Sequence, residues 1–332
     1  MAPVSKADQF DVFFYEAFAE ERKLLKQFLP DSIRAGFAPE TIQEAGHEQP
    51  PAKVISLRTQ SQIPQGWEKQ VDAILSRSTG YNHLLDYRER SAFNGQLGYL
   101  PLYCNRAVAE QAMMLWMSLL RKLPRQMEQF NTFSRDGLTG IECSGKTLLV
   151  VGVGNIGYQV VRIGRGLDMN VLGVDLVRKF DDVTYVSIDK GLPQADIVVA
   201  SMNLTKRNRG YFHYDLLKKA KRGLIFVNIA RGELSPLKDL YWLIKEKQLG
   251  GLALDVYQDE SKLAIGFRAG NVDENDPYFK MIREMQAMPN VIFTPHNAFN
   301  TQESVLRKAR HSVQQLEYYF REGRFLWVVP NE

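Results

Sequence analysis

Residues 146–167 read KTLLVVGVGNIGYQVVRIGRGL, and their order decides the fold. The run KTLLVV is apolar almost throughout, as strands are when both faces of a parallel sheet are covered. Gly152-Val153-Gly154-Asn155-Ile156-Gly157 follows at once. Its glycines allow a tight turn and close approach of backbone to ligand, and the helix opening behind them keeps its amino-terminal N–H groups free to hold a pyrophosphate. A glycine-rich turn that only packs helix on sheet is the ordinary alternative. The next strand, NVLGVD, ends in Asp175, eighteen residues past Gly157, where a carboxylate can accept hydrogen bonds from the adenosine ribose hydroxyls. Its charge would repel a 2′-phosphate, so NAD is expected over NADP. Arg178 and Lys179 stand close behind, either softening that preference or lying in solvent as plain loop residues.

Downstream, short β-branched runs alternate with helical stretches: TYVSI, DIVVA, GLIFVNI, GLALDV and VIFT. The pattern predicts a doubly wound α/β domain. Upstream, the first hundred residues read as a second, smaller α/β unit, with FDVFFYEAFAEERKLLKQF as strand then helix and KVISL and AILSRSTG as further strands. Between the units, AVAEQAMMLWMSLLRKL is apolar on nearly all sides, which demands burial in a core or against another subunit. The last helix, QESVLRKARHSVQQLEYYFREG, gathers Val305, Ala309, Val313 and Leu316 on one face and is placed to dock back on the first unit.

Composition narrows the classes. A chain of 332 residues is long enough for two domains, and a formal charge of +4 with acids and bases interspersed does not imply nucleic acid. The densest basic cluster, Lys218-Lys219-Ala220-Lys221-Arg222, reads as a solvated helix end rather than a docking patch. Two cysteines, Cys104 and Cys143, without metal-ligand spacing argue against a disulfide framework or a metal site. No signal sequence or membrane-length apolar run is seen, so a cytoplasmic protein with no membrane partner is expected.

Three segments after apolar runs carry chemistry. VNIARGEL places Arg231 after GLIFVNI, ALDVYQDE places Asp255 and Glu260 after GLAL, and TPHNAF places His296 after VIFT. Singly they are a surface arginine, loop acids and a structural histidine. Together they set a cation, carboxylates and an imidazole along one rim of one sheet, where ligands of open α/β sheets bind. Those are the parts that bind a carboxylate and move a proton.

LLVVGVGNIGYQV, VNIARGEL, GGLALDVYQDE and FTPHNAF, in that order, together with SRSTGYNHLLDY and LYCNRAVAEQAMML, resemble the D-isomer-specific 2-hydroxyacid dehydrogenases over nearly the whole chain. GLTGIECSGKT, the excursion SKLAIGFRAGNVDENDPYFKMIREM and Phe299 resemble the D-lactate dehydrogenase branch. The resemblance implies two doubly wound domains: a Rossmann NAD-binding domain at 105–299 and a smaller, discontinuous, flavodoxin-like substrate domain formed by 1–104 and 300–332. It implies NADH-dependent reduction of a 2-keto acid, pyruvate foremost, to the D-2-hydroxy acid by a homodimer. Arg231 then matches the arginine that holds the substrate carboxylate and keto oxygen, His296 the proton donor, and Glu260 the acid that favours its protonated form. Thr79 and Gly80 match the loop whose amides hold the carboxylate, Tyr103 and Phe299 the pocket walls, and Asp255 a residue near the nicotinamide carboxamide. Asn203 stands on the nicotinamide side where relatives often have proline, and Gln258 is a second candidate for the acid position. A cofactor-sensing binding protein resembling the C-terminal binding protein corepressors is the rival reading, since such proteins share the scaffold.

Overall fold

The computed structural model describes residues 10–270, 272, 273 and 275–330. The chain divides into two compact units, Met1–Cys104 with Asn300–Glu332, and Asn105–Phe299.

In the first unit β1 (Val12–Phe14), β2 (Ala35–Phe37), β3 (Val54–Leu57), β4 (Ala73–Ser76) and β5 (Gln96–Gly98) form a parallel sheet in the order β2-β1-β3-β4-β5. This is the flavodoxin-like order, with its switch point between β1 and β3. β3 and β4 are buried at every residue, because helices cover both faces. The strands β2 and β5 have only three residues each, AGF and QLG, too short and too glycine-rich to stand out as strands in the sequence.

The terminal helix Gln302–Glu322 packs on the helix Ala19–Phe28 of the same unit. Ala309, Val313 and Leu316 are buried as their spacing predicts, whereas Val305 is half-buried. Beside them runs a buried polar stripe, Ser304, Lys308, Ser312 and Gln315. Lys308 reaches Glu21 at 2.9 Å, and Arg77 binds the other oxygen of that carboxylate at 2.9 Å. A buried charge survives only when paired in this way.

In the second unit β6 (Thr147–Val151), β7 (Asn170–Val174), β8 (Ile197–Ala200), β9 (Leu224–Asn228), β10 (Leu249–Leu254) and β11 (Val291–Phe293) are parallel, in the order β11-β10-β9-β8-β6-β7. The expected strand TYVSI is not one. Tyr185 makes a single parallel bridge with Gly173 at the outer edge of β7, and the chain turns into the short helix Ile188–Gly191 directly after Ser187.

The helix Asn105–Leu120 is covered only in part by its own chain. Ala109, Ala112, Leu115 and Trp116 are fully buried, but Met114 is 47% exposed and Arg106 and Glu110 form an exposed ion pair, so this chain buries one face of it rather than all sides. The basic cluster closes the short helix Tyr214–Leu217, where exposed Lys218, Lys219 and Lys221 pair with Glu246, Asp189 and Asp196. Among the described residues no helix is long and apolar enough to cross a membrane.

Candidate active site

β6 lies between β7 and β8, so the chain leaves the sheet after Val151 where the strand order reverses. Gly152 takes φ of 97°, and a Cβ on Gly157 would stand 2.0 Å from the Gly152 carbonyl oxygen. No side chain fits at 157 without pushing the helix off the turn. The helix Asn155–Gly166 begins behind Gly154 with no side-chain cap. Among the described residues the Asn155 and Ile156 amides donate to no protein acceptor, which leaves the positive end of a twelve-residue helix open to an anion. Asp175 is exposed at the end of β7. Its carboxylate accepts the Val153 amide at 2.6 Å and the Val177 amide at 3.0 Å, which fastens it beside the glycine turn while each oxygen keeps a second lone pair. On the other side, the exposed Asn203 accepts at its carbonyl from Asn208 Nδ2 at 2.7 Å, and Asn208 Oδ1 accepts the Thr205 amide at 2.7 Å. Asn208 thus closes the loop that lacks a proline.

The neighbouring strands β9, β10 and β11 carry the ionisable groups. At the end of β9, fully buried Asn228 donates to the Arg231 carbonyl at 2.9 Å and to Ser235 Oγ at 2.8 Å and accepts the Ala230 amide at 2.9 Å, shaping the turn that presents Arg231. Gly232 is required there, since a Cβ would meet the Tyr257 carbonyl carbon at 1.9 Å. That close approach brings the arginine's loop against the segment leading to Glu260.

Asp255, at the end of β10, is 1% exposed and accepts from Thr294 Oγ1 at 2.6 Å and from the amides of Asn297 and Ala298 at 2.9 Å. Burial raises its pKa against the pull of those donors. Its carboxylate therefore clasps the turn that holds His296 at φ of 50°, a left-handed conformation that a non-glycine residue keeps only when its surroundings impose it. Gln111 donates to Thr294 Oγ1 from the helix Asn105–Leu120 at 3.4 Å.

His296 Nδ1 lies 2.7 Å from Glu260 Oε1. Gln258 is not the acid on the imidazole, its carbonyl instead accepting from the Tyr278 hydroxyl at 2.5 Å. Burial would raise the Glu260 pKa, but the hydrogen bond and charge of His296, with the charge of Arg231, outweigh it and hold the carboxyl below its ordinary value. The Phe299 ring stands edge-on to the imidazole at 6.2 Å. Among the described residues His296 Nε2 has no protein partner.

In the first unit Thr79 and Gly80 follow β4. Ser78 Oγ donates to the Gly80 carbonyl at 2.7 Å and Thr79 Oγ1 to the Leu100 carbonyl at 3.2 Å, while the Thr79 and Gly80 amides donate to no protein acceptor among the described residues. Tyr103 is 4% exposed, and burial pushes its phenol well above the ordinary value.

The sequence profile of the D-isomer specific 2-hydroxyacid dehydrogenase NAD binding domain matches residues 113–298. A 2-hydroxyacid dehydrogenase homolog of Zymomonas mobilis is 32% identical over 254 residues, 74% of this chain and 75% of its own length. The chain belongs to the D-isomer-specific 2-hydroxyacid dehydrogenases.

Similar proteins of this family include D-lactate dehydrogenase kk1H of Curvularia clavata, 32% identical over 254 residues, 74% of this chain and 71% of its own. D-lactate dehydrogenase from Aquifex aeolicus, solved with NAD and lactic acid, shares the fold at a TM-score of 0.82, with 24% identity over 96% of this chain and 100% of that one. This dehydrogenase is an NAD-dependent enzyme, and its own residues fit the cofactor: the cradle at Gly152 and Gly157 admits no side chain, the helix behind it is uncapped, and Asp175 is fastened at its side. Asn228, Ser78 and Thr294 were given no role in the sequence, although each lies inside a segment quoted there; an Asn ending an apolar strand three residues before Arg231 was the signal for Asn228.

Proposed function

We propose that this dehydrogenase reduces a small 2-keto acid, pyruvate foremost, to the D-2-hydroxy acid, giving D-lactate from pyruvate. The observation that carries the reading is the His296 imidazole, bonded through Nδ1 to an ionised carboxylate and carrying Nε2 without a protein partner at the rim of an NAD-binding sheet. Bound NADH supplies a hydride to the keto carbon. His296 Nε2 gives its proton to the keto oxygen, and Glu260 orients the ring and stabilises the imidazolium beforehand. Arg231 grips the substrate carboxylate and polarises the keto oxygen with its planar fork. The Thr79 and Gly80 amides hold the same carboxylate, and Tyr103 and Phe299 bound the substrate side chain. Asp175 serves the ribose, Asn203 flanks the nicotinamide side, and Asp255 acts there through the His296 turn.

On this reading the unit Met1–Cys104 with Asn300–Glu332 binds substrate and the unit Asn105–Phe299 binds NAD. The working form is a homodimer. Support comes from Met127, Phe130, Phe133 and Ile141, which are 68%, 73%, 74% and 54% exposed within one short span after the helix Asn105–Leu120. Clusters of exposed large apolar side chains mark association surfaces.

The test is NADH oxidation with pyruvate, phenylpyruvate, branched keto acids, glyoxylate and hydroxypyruvate, each repeated with NADPH, with chiral analysis of every product. Pyruvate should give the highest kcat/KM and D-lactate the only product. An L-product would overturn the stereochemical reading, and a strong preference for phenylpyruvate would remove pyruvate alone.

A further inference from the structure

Lys179 is placed where elementary electrostatics says a lysine should not be. Its Nζ lies 3.0 Å from Oδ1 of Asn155, the first residue of the helix Asn155–Gly166. Cations are disfavoured at helix amino termini, where the peptide dipoles already present positive charge. Among the described residues no carboxylate stands within ion-pairing distance of this ammonium to offset the cost.

The position is nevertheless built. The loop after β7 is fastened to the same helix: Phe180 stacks on Tyr158 at 3.9 Å between centroids and 7° between planes, and Asp182 pairs with Arg165 at 2.6 Å and accepts from the Tyr158 hydroxyl at 3.2 Å. The Lys179 ammonium also rests 5.3 Å over the Phe180 ring. A local conflict that the surrounding structure holds in place points to a functional site.

We infer that Lys179 is a contact for the cofactor's diphosphate, reaching from the β7 loop to the open amides of Asn155 and Ile156, and is thereby kept from reading a 2′-phosphate. With the dianionic diphosphate between helix end and ammonium, the repulsion becomes attraction on both sides. Asp175, on the same loop, remains the group that faces the ribose. The inference rests on the NAD site at the glycine turn.

The test is binding, read by fluorescence titration of the full chain with NADH and NADPH and by competition with ADP-ribose and adenosine, at low and high salt. Lys179→Met should weaken NADH and ADP-ribose by about five- to tenfold at low salt, equivalent to about 1–1.4 kcal/mol. NADPH should weaken by the same factor as NADH, adenosine should not change, and high salt should shrink the difference. Lys179→Arg should keep most of the affinity. Unchanged NADH binding by Lys179→Met would overturn the inference, as would a loss confined to NADPH, which would put the ammonium at the ribose. An equal loss with adenosine would show a displaced loop instead. Failure of the unsubstituted chain to bind NADH at all would sink the site itself rather than the part played by Lys179.

Discussion

Glu260 sets the electrostatics of the site with one charge. Its carboxyl is held below the ordinary value by His296 and Arg231 despite burial, so it is ionised at neutral pH. An ionised carboxylate beside an imidazole favours the protonated ring, the form that donates on the proposed reading. Glu260→Gln keeps the shape and removes the charge. If His296 is the proton donor as proposed, the alkaline limb of kcat/KM for pyruvate should then move to lower pH, while oxidation of D-lactate, which needs the neutral ring, extends to lower pH. Overlaying profiles from an active variant would show that this carboxylate does not govern His296. If Arg231 grips the substrate carboxylate as proposed, Arg231→Lys should lower kcat/KM at least about 100-fold, in both KM and kcat, because an ammonium cannot reproduce a two-pronged contact in ground and transition states. Near-normal turnover would leave Arg231 a purely structural residue.

Among the elements, the terminal helix depends on a charge its apolar spacing does not show. Glu21 is the shared partner of Arg77 and Lys308; burial opposes its ionisation, yet the three cations Arg77, Lys308 and Arg58 pull its pKa from 4.5 down to about 2. A carboxylate depressed on folding contributes stability that is present above its unfolded value and fades as pH falls from 4.5 towards 2. Glu21→Gln would leave two buried cations facing a neutral amide, which should cost about 3–5 kcal/mol in urea unfolding at neutral pH. A loss below about 1 kcal/mol would mean that apolar packing alone holds the helix. The neutral variant should also lose the wild-type decline in stability between pH 4.5 and 2 that Glu21 causes.

For the whole molecule the decisive measurement is its mass in solution. Phe130 and Phe133 stand about three-quarters exposed, their rings 6.4 Å apart, beside Met127. If they face a second copy, Phe130→Glu with Phe133→Glu should convert a dimer to a monomer in sedimentation at micromolar concentration while leaving the NAD-binding unit folded. A dimer of unchanged stability would place the interface elsewhere.

The sequence alone determined the strand–glycine turn–helix at 146–167, the succession of buried strands and the order of Arg231, Glu260 and His296 behind three of them, because apolar period and glycine placement are local properties of the chain. It also implied NAD through Asp175. It did not show that Asp255 is consumed in clasping the His296 turn, that Asn228 shapes the turn of Arg231, or that TYVSI shrinks to one bridge. Nor did it show Lys308 buried on Glu21. Apart from the local Asn228 turn, these rest on partners many residues away, such as Asp255 with Asn297 and Glu21 with Lys308. Local pattern carries no information about which distant donor will satisfy a buried polar group; only the tertiary structure, where every such group must find one, decides it.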